Sequence, residues 1–340
     1  MSETPSPYRR WVRVERGGQP ESWHDGVLVV LDDTGRVHAR WGDPSVESFV
    51  RSSAKMVQAI PLVENGAADA FGFEPRHLAL ACASHDGESF HVEGVRTMLA
   101  RAGLDESFLH CGAHAPGHAE SARELVLAGE APASVHNNCS GKHAGMLAAA
   151  KHAGYEPRTY WRPDHPLQGE IRAALSELSE IPAERIGYAV DGCGVPAWRL
   201  PVESFALALA RFASGRGLPA GRRAAASRLF DARRAHPEMV AGTRRICTAI
   251  MRATERPLIA KGGAEGYYAL AWRDGDRGFA LASKSAAGDF RSSHCVVVEA
   301  LRQLDLVDGA GLASLARWHA DPIRNHAGEA VGRLVPLVEL

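Results

Sequence analysis

Residues 47–72 read "ESFVRSSAKMVQAIPLVENGAADAFG". A short β-prone run ends near Val50, and a helix opens near Ser52 with Val57, Ile60, Leu62 and Val63 on or beside its apolar side. Lys55 follows Ser52 by one turn, and residues three apart on a helix share a face, so the amine can reach the hydroxyl. Unpaired first-turn N–H groups and the helix dipole favour a negative oxygen at that end. An isolated Ser-x-x-Lys is by default a capped helix with a solvated lysine. For Lys55 to act as a base it must be neutral, which from a reference pKa near 10.4 means destabilising its ammonium by roughly 4.6 kcal/mol at pH 7. Burial or a second cation can do this.

Outward from this stretch, "WVRVER" (11–16) and "GVLVVLDDTGRVHARWG" (26–42) read as strands, the latter a hairpin turning at Asp33-Thr34-Gly35. Near the other end, "RPLIAKGGAEGYYALAWRDGDRGFALASKS" (256–285) reads as two strands joined at Asp274-Gly275-Asp276, with Lys261 at the start of the first. The helix "RSSHCVVVEALRQLDL" (291–306) is expected to close the fold. Between these ends lie helices at "HVEGVRTMLARAG", "SGKHAGMLAAAKHAGY", "HPLQGEIRAALSELSEI", "VESFALALARFASG" and 221–235. "HLALACASHDGES" reads as a buried segment ending in a polar turn, and 105–138 as a long loop or lid.

The expected class is therefore α+β: an antiparallel sheet built from the N- and C-terminal strands, helices on its faces in a three-layer αβα arrangement, and a mostly helical middle. Residues 1–10 are expected to be loosely held. Residues 11–340 form one catalytic unit, with the sheet part at 11–60 and 240–340 and the helical part at about 61–239.

The chain has 340 residues and a formal net charge of -1, which counts against nucleic acid or an anionic membrane as main partner. No apolar run approaches the roughly 20 residues of a membrane span. The N-terminus lacks the order of a signal peptide, so a cytoplasmic protein is expected. Six scattered cysteines do not form a secreted disulfide pattern and read as buried thiols, metal ligands or nucleophiles.

Two further elements raise the standing of Ser52 and Lys55. Ser84 ends an apolar segment in the turn "ASHDGES", and Lys261 lies in "KGGAEG", where glycines allow close approach of a ligand. Ser-x-x-Lys on a helix, a serine on a loop and Lys-x-Gly on a strand, in this chain order, is the layout of serine acyl enzymes of the β-lactamase and penicillin-binding type. Lys261 would then be the second cation that keeps Lys55 neutral.

Cys139 in "HNNCSGKHAG" and Cys193 in "VDGCGVP" sit in polar, glycine-bearing turns, whereas Cys82 and Cys295 lie in apolar runs. Two turn cysteines with a nearby histidine could hold zinc, although the spacing matches no common zinc signature. They could equally be buried thiols near a helix start, or Cys139 could be reactive beside Lys142. His110, His114 and His118 are broken up by Gly112, Pro116 and Gly117 and read as loop residues.

"RSSAK", "ASHDGESFH", "HNNCSGKHAGML", "VDGCGVPAW", "HPEMVAGTRRICTAIM" and "KGGAEGYYAL" together resemble the asparaginase II family, the rhizobial-type L-asparaginases, over roughly residues 10 to 330. The resemblance implies a fold similar to serine β-lactamases and serine-type glutaminases. It implies hydrolysis of L-asparagine to L-aspartate and ammonia in a homodimer. It puts the catalytic serine and lysine on Ser52 and Lys55, the second pair on Ser84 and Lys261, and zinc on Cys139, Lys142 and Cys193. Arg51, His143 and Asp191 lie within the same motifs as candidate substrate or supporting contacts, and Cys247 is expected to be structural. Two other functions remain open: a glutaminase or β-lactam or D-peptide hydrolase of the same fold, and a non-catalytic, zinc-stabilised small-molecule binding protein.

Overall fold

The computed structural model describes residues 6–320 and 322–340. Eleven strands are present among them: β1 (Arg9–Arg16), β2 (Gln19–Asp32), β3 (Val37–Trp41), β4 (Glu47–Phe49), β5 (Gly187–Val190), β6 (Pro196–Pro201), β7 (Leu258–Gly262), β8 (Tyr267–Asp274), β9 (Arg277–Ser285), β10 (Ile323–Arg324) and β11 (Ala330–Pro336). The main sheet runs β10-β11-β1-β2-β9-β8-β7, with β3 paired to β2, and every ladder is antiparallel. The two chain ends meet directly, Val14 lying opposite Leu334.

Successive residues of a strand face opposite sides of its sheet, and β8 makes the layers visible. Tyr267 turns its ring edge-on to Phe205 of the helix Val202–Ser214, while Tyr268 meets His294 of the helix Phe290–Gln303. Helices thus cover both faces, and Val27 to Leu31 of β2 are all buried, as a two-sided strand requires. The expected α+β, three-layer architecture is the one observed. Among the described residues no helix is long and apolar enough to cross a membrane.

Several boundaries differ from expectation. β1 starts at Arg9, so the division expected between 10 and 11 falls inside a strand; residues 1–5 lie outside the described part. The closing element is not the helix Phe290–Gln303 but β11, because the alternation in "AVGRLVP" returns the chain to the free edge of β1. The stretch 256–285 holds three strands rather than two. Glu265 and Gly266 both adopt left-handed φ, 58° and 63°, and this tight turn splits β7 from β8, leaving Lys261 near the end of its strand. The region expected as a loop at 105–138 contains a helix, Ala119–Leu127, none of whose residues is buried. "PRHLALA" is helical (Pro75–Ala81), started by Pro75 and by a reciprocal cap between Glu74 and His77. The helical middle also carries a small second sheet, β4-β6-β5.

Candidate active site

β4 delivers the chain to a 3₁₀ turn, Arg51–Ala54, which runs on into a helical turn, Lys55–Gln58. Arg51 enters this turn with φ of 50°, a conformation L-residues rarely hold outside constrained sites. Its guanidinium donates to Asp191 Oδ1 through Nε and Nη2, at 3.2 and 2.8 Å, tying the turn to the β5–β6 connection. Across from it, Gly263 has no room for a side chain: a Cβ there would stand 2.9 Å from Val50 O and 3.0 Å from Ser53 Oγ. With Ser53 Oγ donating to Lys261 O at 3.1 Å, that close approach sets the end of β7 against the Ser52 turn.

Ser84 follows the helix Pro75–Ala81 and is pinned on both sides, its own N–H to Val240 O at 3.0 Å and the N–H of His85 to Asn138 O at 3.0 Å. Lys55 Nζ donates to Ser84 Oγ at 2.8 Å, and Lys261 Nζ to the same oxygen at 2.9 Å. Both lysines are 1% exposed. Burial foremost drives the Lys55 amine below the ordinary lysine range; Cys139 opposes it and Lys142 reinforces it. Burial likewise brings Lys261 down to about 7, with Cys247 opposing and Lys55, Arg233 and Arg245 adding to the effect. Neither amine is therefore the strongly held ammonium of a surface lysine.

Lys55 makes no hydrogen bond to Ser52; its donors go to Ala83 O, Ser84 Oγ and Cys139 Sγ. Ser52, Ser84 and Lys261 nevertheless line one cavity of about 420 Å³, together with Asn138, Arg245 and Cys247. Asn138 and Arg245 were not singled out from sequence, although both lie inside motifs that carry the resemblance. Arg245 Nη1 donates to Asp86 Oδ1 at 2.7 Å, which holds it over the Ser84 loop.

Cys139 precedes the helix Ser140–His152 and takes its backbone cap from Asn137 Oδ1 at 2.8 Å. Gly141 makes the packing possible, since a Cβ there would collide with Leu80 O at 2.5 Å. Cys193 lies in the β5–β6 connection and accepts from Lys142 Nζ at 3.0 Å. The neighbouring Cys193 thiol is the main influence lowering Cys139 well below the usual thiol range, with Lys55 and Lys142 helping against burial. The Cys193 thiol is pushed up in turn by Cys139 and by burial. Burial works against the Lys142 ammonium, but Cys193 and Cys139 outweigh it and hold the amine above the lysine range.

Among the described residues no three His, Cys, Asp or Glu side chains form a ligand cluster. Two sulfurs and the Lys142 amine do meet in one buried place, and this donor set fits zinc, which would displace protons from Lys142 and Cys193. His143 is set apart: it is fully buried and bonds Tyr160 Oη through Nδ1, and burial, then Lys142, keeps it neutral. Tyr160 carries no sequence signal that would have nominated it. Asp191 pairs with Arg51, and although burial alone would raise its carboxyl, Lys142 and Arg51 hold it below the usual range. All six cysteines are free, and Cys247 accepts from Gly262 N–H and Tyr268 Oη at 3.2 and 3.3 Å.

No curated protein matches the chain significantly. Among solved structures, Mglu in its tris and glutamate form aligns at 14% identity and a TM-score of 0.37 over 83% of this chain; the chain spans 59% of the length of that protein. A β-lactamase (Mb2281c) from Mycobacterium bovis aligns at 12% identity and TM-score 0.36, covering 86% of this chain and 94% of the other. A class C β-lactamase from Rhodobacter sphaeroides gives 12% and 0.38, covering 81% and 94%. Likeness at this level carries nothing about chemistry. The family model for L-asparaginase II, by contrast, matches residues 12–336, nearly the whole chain, and the protein belongs to that family.

Proposed function

We propose that the protein is a serine amidohydrolase that cleaves the side-chain amide of L-asparagine to L-aspartate and ammonia through an acyl-enzyme. One observation carries this reading: two buried lysine amines donate to a single serine oxygen, on a cavity that a second serine also lines. A pair of solvated lysines on a capped helix would not produce that arrangement.

In this reading Ser52 Oγ attacks the amide carbon, and its proton passes to the buried base formed by Lys55, Ser84 and Lys261. The Ser52 N–H, in the first turn without a helical partner, is one donor for the oxyanion. The same relay returns a proton to the departing ammonia, and water then releases aspartate. Arg245, which lines the cavity while paired with Asp86, would receive the substrate's α-carboxylate through its remaining N–H groups. Zinc held by Cys139, Lys142 and Cys193 would have its charge offset by the two thiolates and would supply a Lewis-acid position next to Lys55. Arg51 and Asp191 would hold the turn that presents Ser52, and His143 would support the helix that carries Lys142. A homodimer, implied by the resemblance, belongs to the same proposal and is checked by light scattering.

The distances also favour a second assignment, with Ser84 as the attacking oxygen, since it is the one both amines touch. Ammonia release from L-Asn, L-Gln and D-Asn by wild type, S52A and S84A decides among these. The first reading expects S52A to lose turnover with its fold intact and no acyl-enzyme to form on it. A tenth of wild-type rate surviving in S52A passes the attacking role to Ser84, and absence of ammonia from every substrate removes the amidohydrolase.

A further inference from the structure

Arg233 belongs to the helix Ala220–Ala235 and is 0% exposed. Its Nη2 donates to Ala260 O at 2.9 Å and its Nη1 to Met56 Sδ at 3.0 Å, while Nε has no partner. No carboxylate forms an ion pair with it among the described residues. Buried charges in proteins are normally matched by an opposite charge, because a lone ion in a low-dielectric interior is unfavourable. This guanidinium is an exception, and an expensive one to keep unless its charge is used.

Its two contacts suggest the use. Met56 is the residue after Lys55, and Ala260 the residue before Lys261. Arg233 therefore bridges the backbone of β7 and the helical turn Lys55–Gln58, one residue from each lysine along the chain. The charged or titratable groups that act on the Lys261 amine are Cys82 after the helix Pro75–Ala81, Cys247 from the helix Ile246–Arg252, Lys55 from its own turn, Arg245 from the loop ahead of Cys247, and Arg233. Lys55 is a titratable amine that shares the Ser84 oxygen with Lys261, and Arg245 is half exposed and paired with Asp86. A guanidinium keeps its charge at any working pH. Arg233 is thus the one neighbour whose positive field is permanent, buried and uncancelled by an acid.

We propose that Arg233 is a positioning residue of this site: its unpaired charge holds the Lys261 amine in the neutral, proton-accepting form that Ser84 needs. The proposal rests on the reading of Lys261 as a base, and its test is chosen to separate the two. The titration of Lys261 is followed by NMR on protein with 13Cε-labelled lysine, the resonance being assigned by its loss in K261A. R233Q removes the charge and leaves a shorter, neutral polar side chain in the same place. The expected result is a Lys261 midpoint at least about half a pH unit higher in R233Q than in wild type, with the acidic limb of kcat/KM moving by the same amount and the rate recovering at high pH. A merely structural Arg233 would lower the rate at every pH and leave the midpoint in place. A smaller rise, or a fall, in that midpoint overturns the proposal; R233M carries the same expectation should R233Q not fold. The NMR titration needs no substrate, so a midpoint that shifts while the acidic limb does not would instead discard Lys261 as the catalytic base.

Discussion

Lys55 and Lys261 place their amines on the same atom, Ser84 Oγ, at 2.8 and 2.9 Å, from positions 206 residues apart in the chain. The shared oxygen is the joint between the two Ser-Lys pairs and the part of the site most exposed to test. S84A should lower kcat/KM by about 10²–10⁴-fold, the range of a lost acid–base relay, while the circular dichroism spectrum stays native. A variant within threefold of wild type would show that the lysines work without the hydroxyl between them.

Lys261, brought down to about 7 by burial and its cationic neighbours, makes activity and stability depend on pH in defined directions. As a base it works when neutral, so kcat/KM should rise as pH passes upward through 7. For stability, the unfolded chain binds the proton more tightly than the folded one between pH 7 and the ordinary lysine value. Stability therefore rises with pH across that window, and the cost is fully present below it. K261M removes the cost, on the order of 5 kcal/mol. It should raise Tm at pH 6 and have much less effect at pH 10, at the expense of turnover. Equal shifts at both pH values, read by calorimetry, would mean that Lys261 is charged in the folded protein.

Metal content tests the sulfur pair separately from catalysis. C139S and C193S should each reduce bound zinc, measured by mass spectrometry on protein dialysed against a weak chelator, to less than about a tenth of wild type. C82S and C295S, buried far from Lys142 in the chain and in apolar runs, should leave it unchanged. Equal zinc in all four variants would exclude these thiols as its ligands.

Arg51 combines a left-handed backbone with an ion pair to Asp191, and the two can be measured apart. In a D191A background, where the pair is gone, R51G should be more stable than R51A by about 1 kcal/mol, because glycine holds φ of 50° without strain. Chemical denaturation reads the difference; R51A equal to or above R51G would mean that the turn relaxes once Arg51 is removed.

The divisions between elements were legible where local chemistry is strong. The alternating "WVRVER", the continuous apolar run of "GVLVVLDD" and the Asp33–Gly35 turn all form the elements expected of them. They failed where a turn or a partner decides the outcome. "KGGAEGYY" reads as one strand because a Gly-Gly pair permits extension as readily as reversal, and the left-handed Glu265 has no composition signal. β11 was missed because "AVGRLVP" is only half-buried and gains its place from pairing with β1.

The sequence by itself determined which groups this protein has for its chemistry and which of them are local neighbours: the serine and amine one turn apart, the cysteine at a helix start beside Lys142, the strands at both ends. Tertiary structure decided which atoms meet. Lys55 turns to Ser84, 29 residues on, rather than to Ser52, Arg51 reaches Asp191 across 140 residues, and Arg233 is sealed behind both lysines without an acid. Residue spacing constrains only the reach of a side chain within a turn or a strand. Hydrogen bonds of 2.8 Å and the loss of water around an amine arise from the close packing of segments distant in the chain, where a glycine such as Gly263 or Gly141 sets the approach.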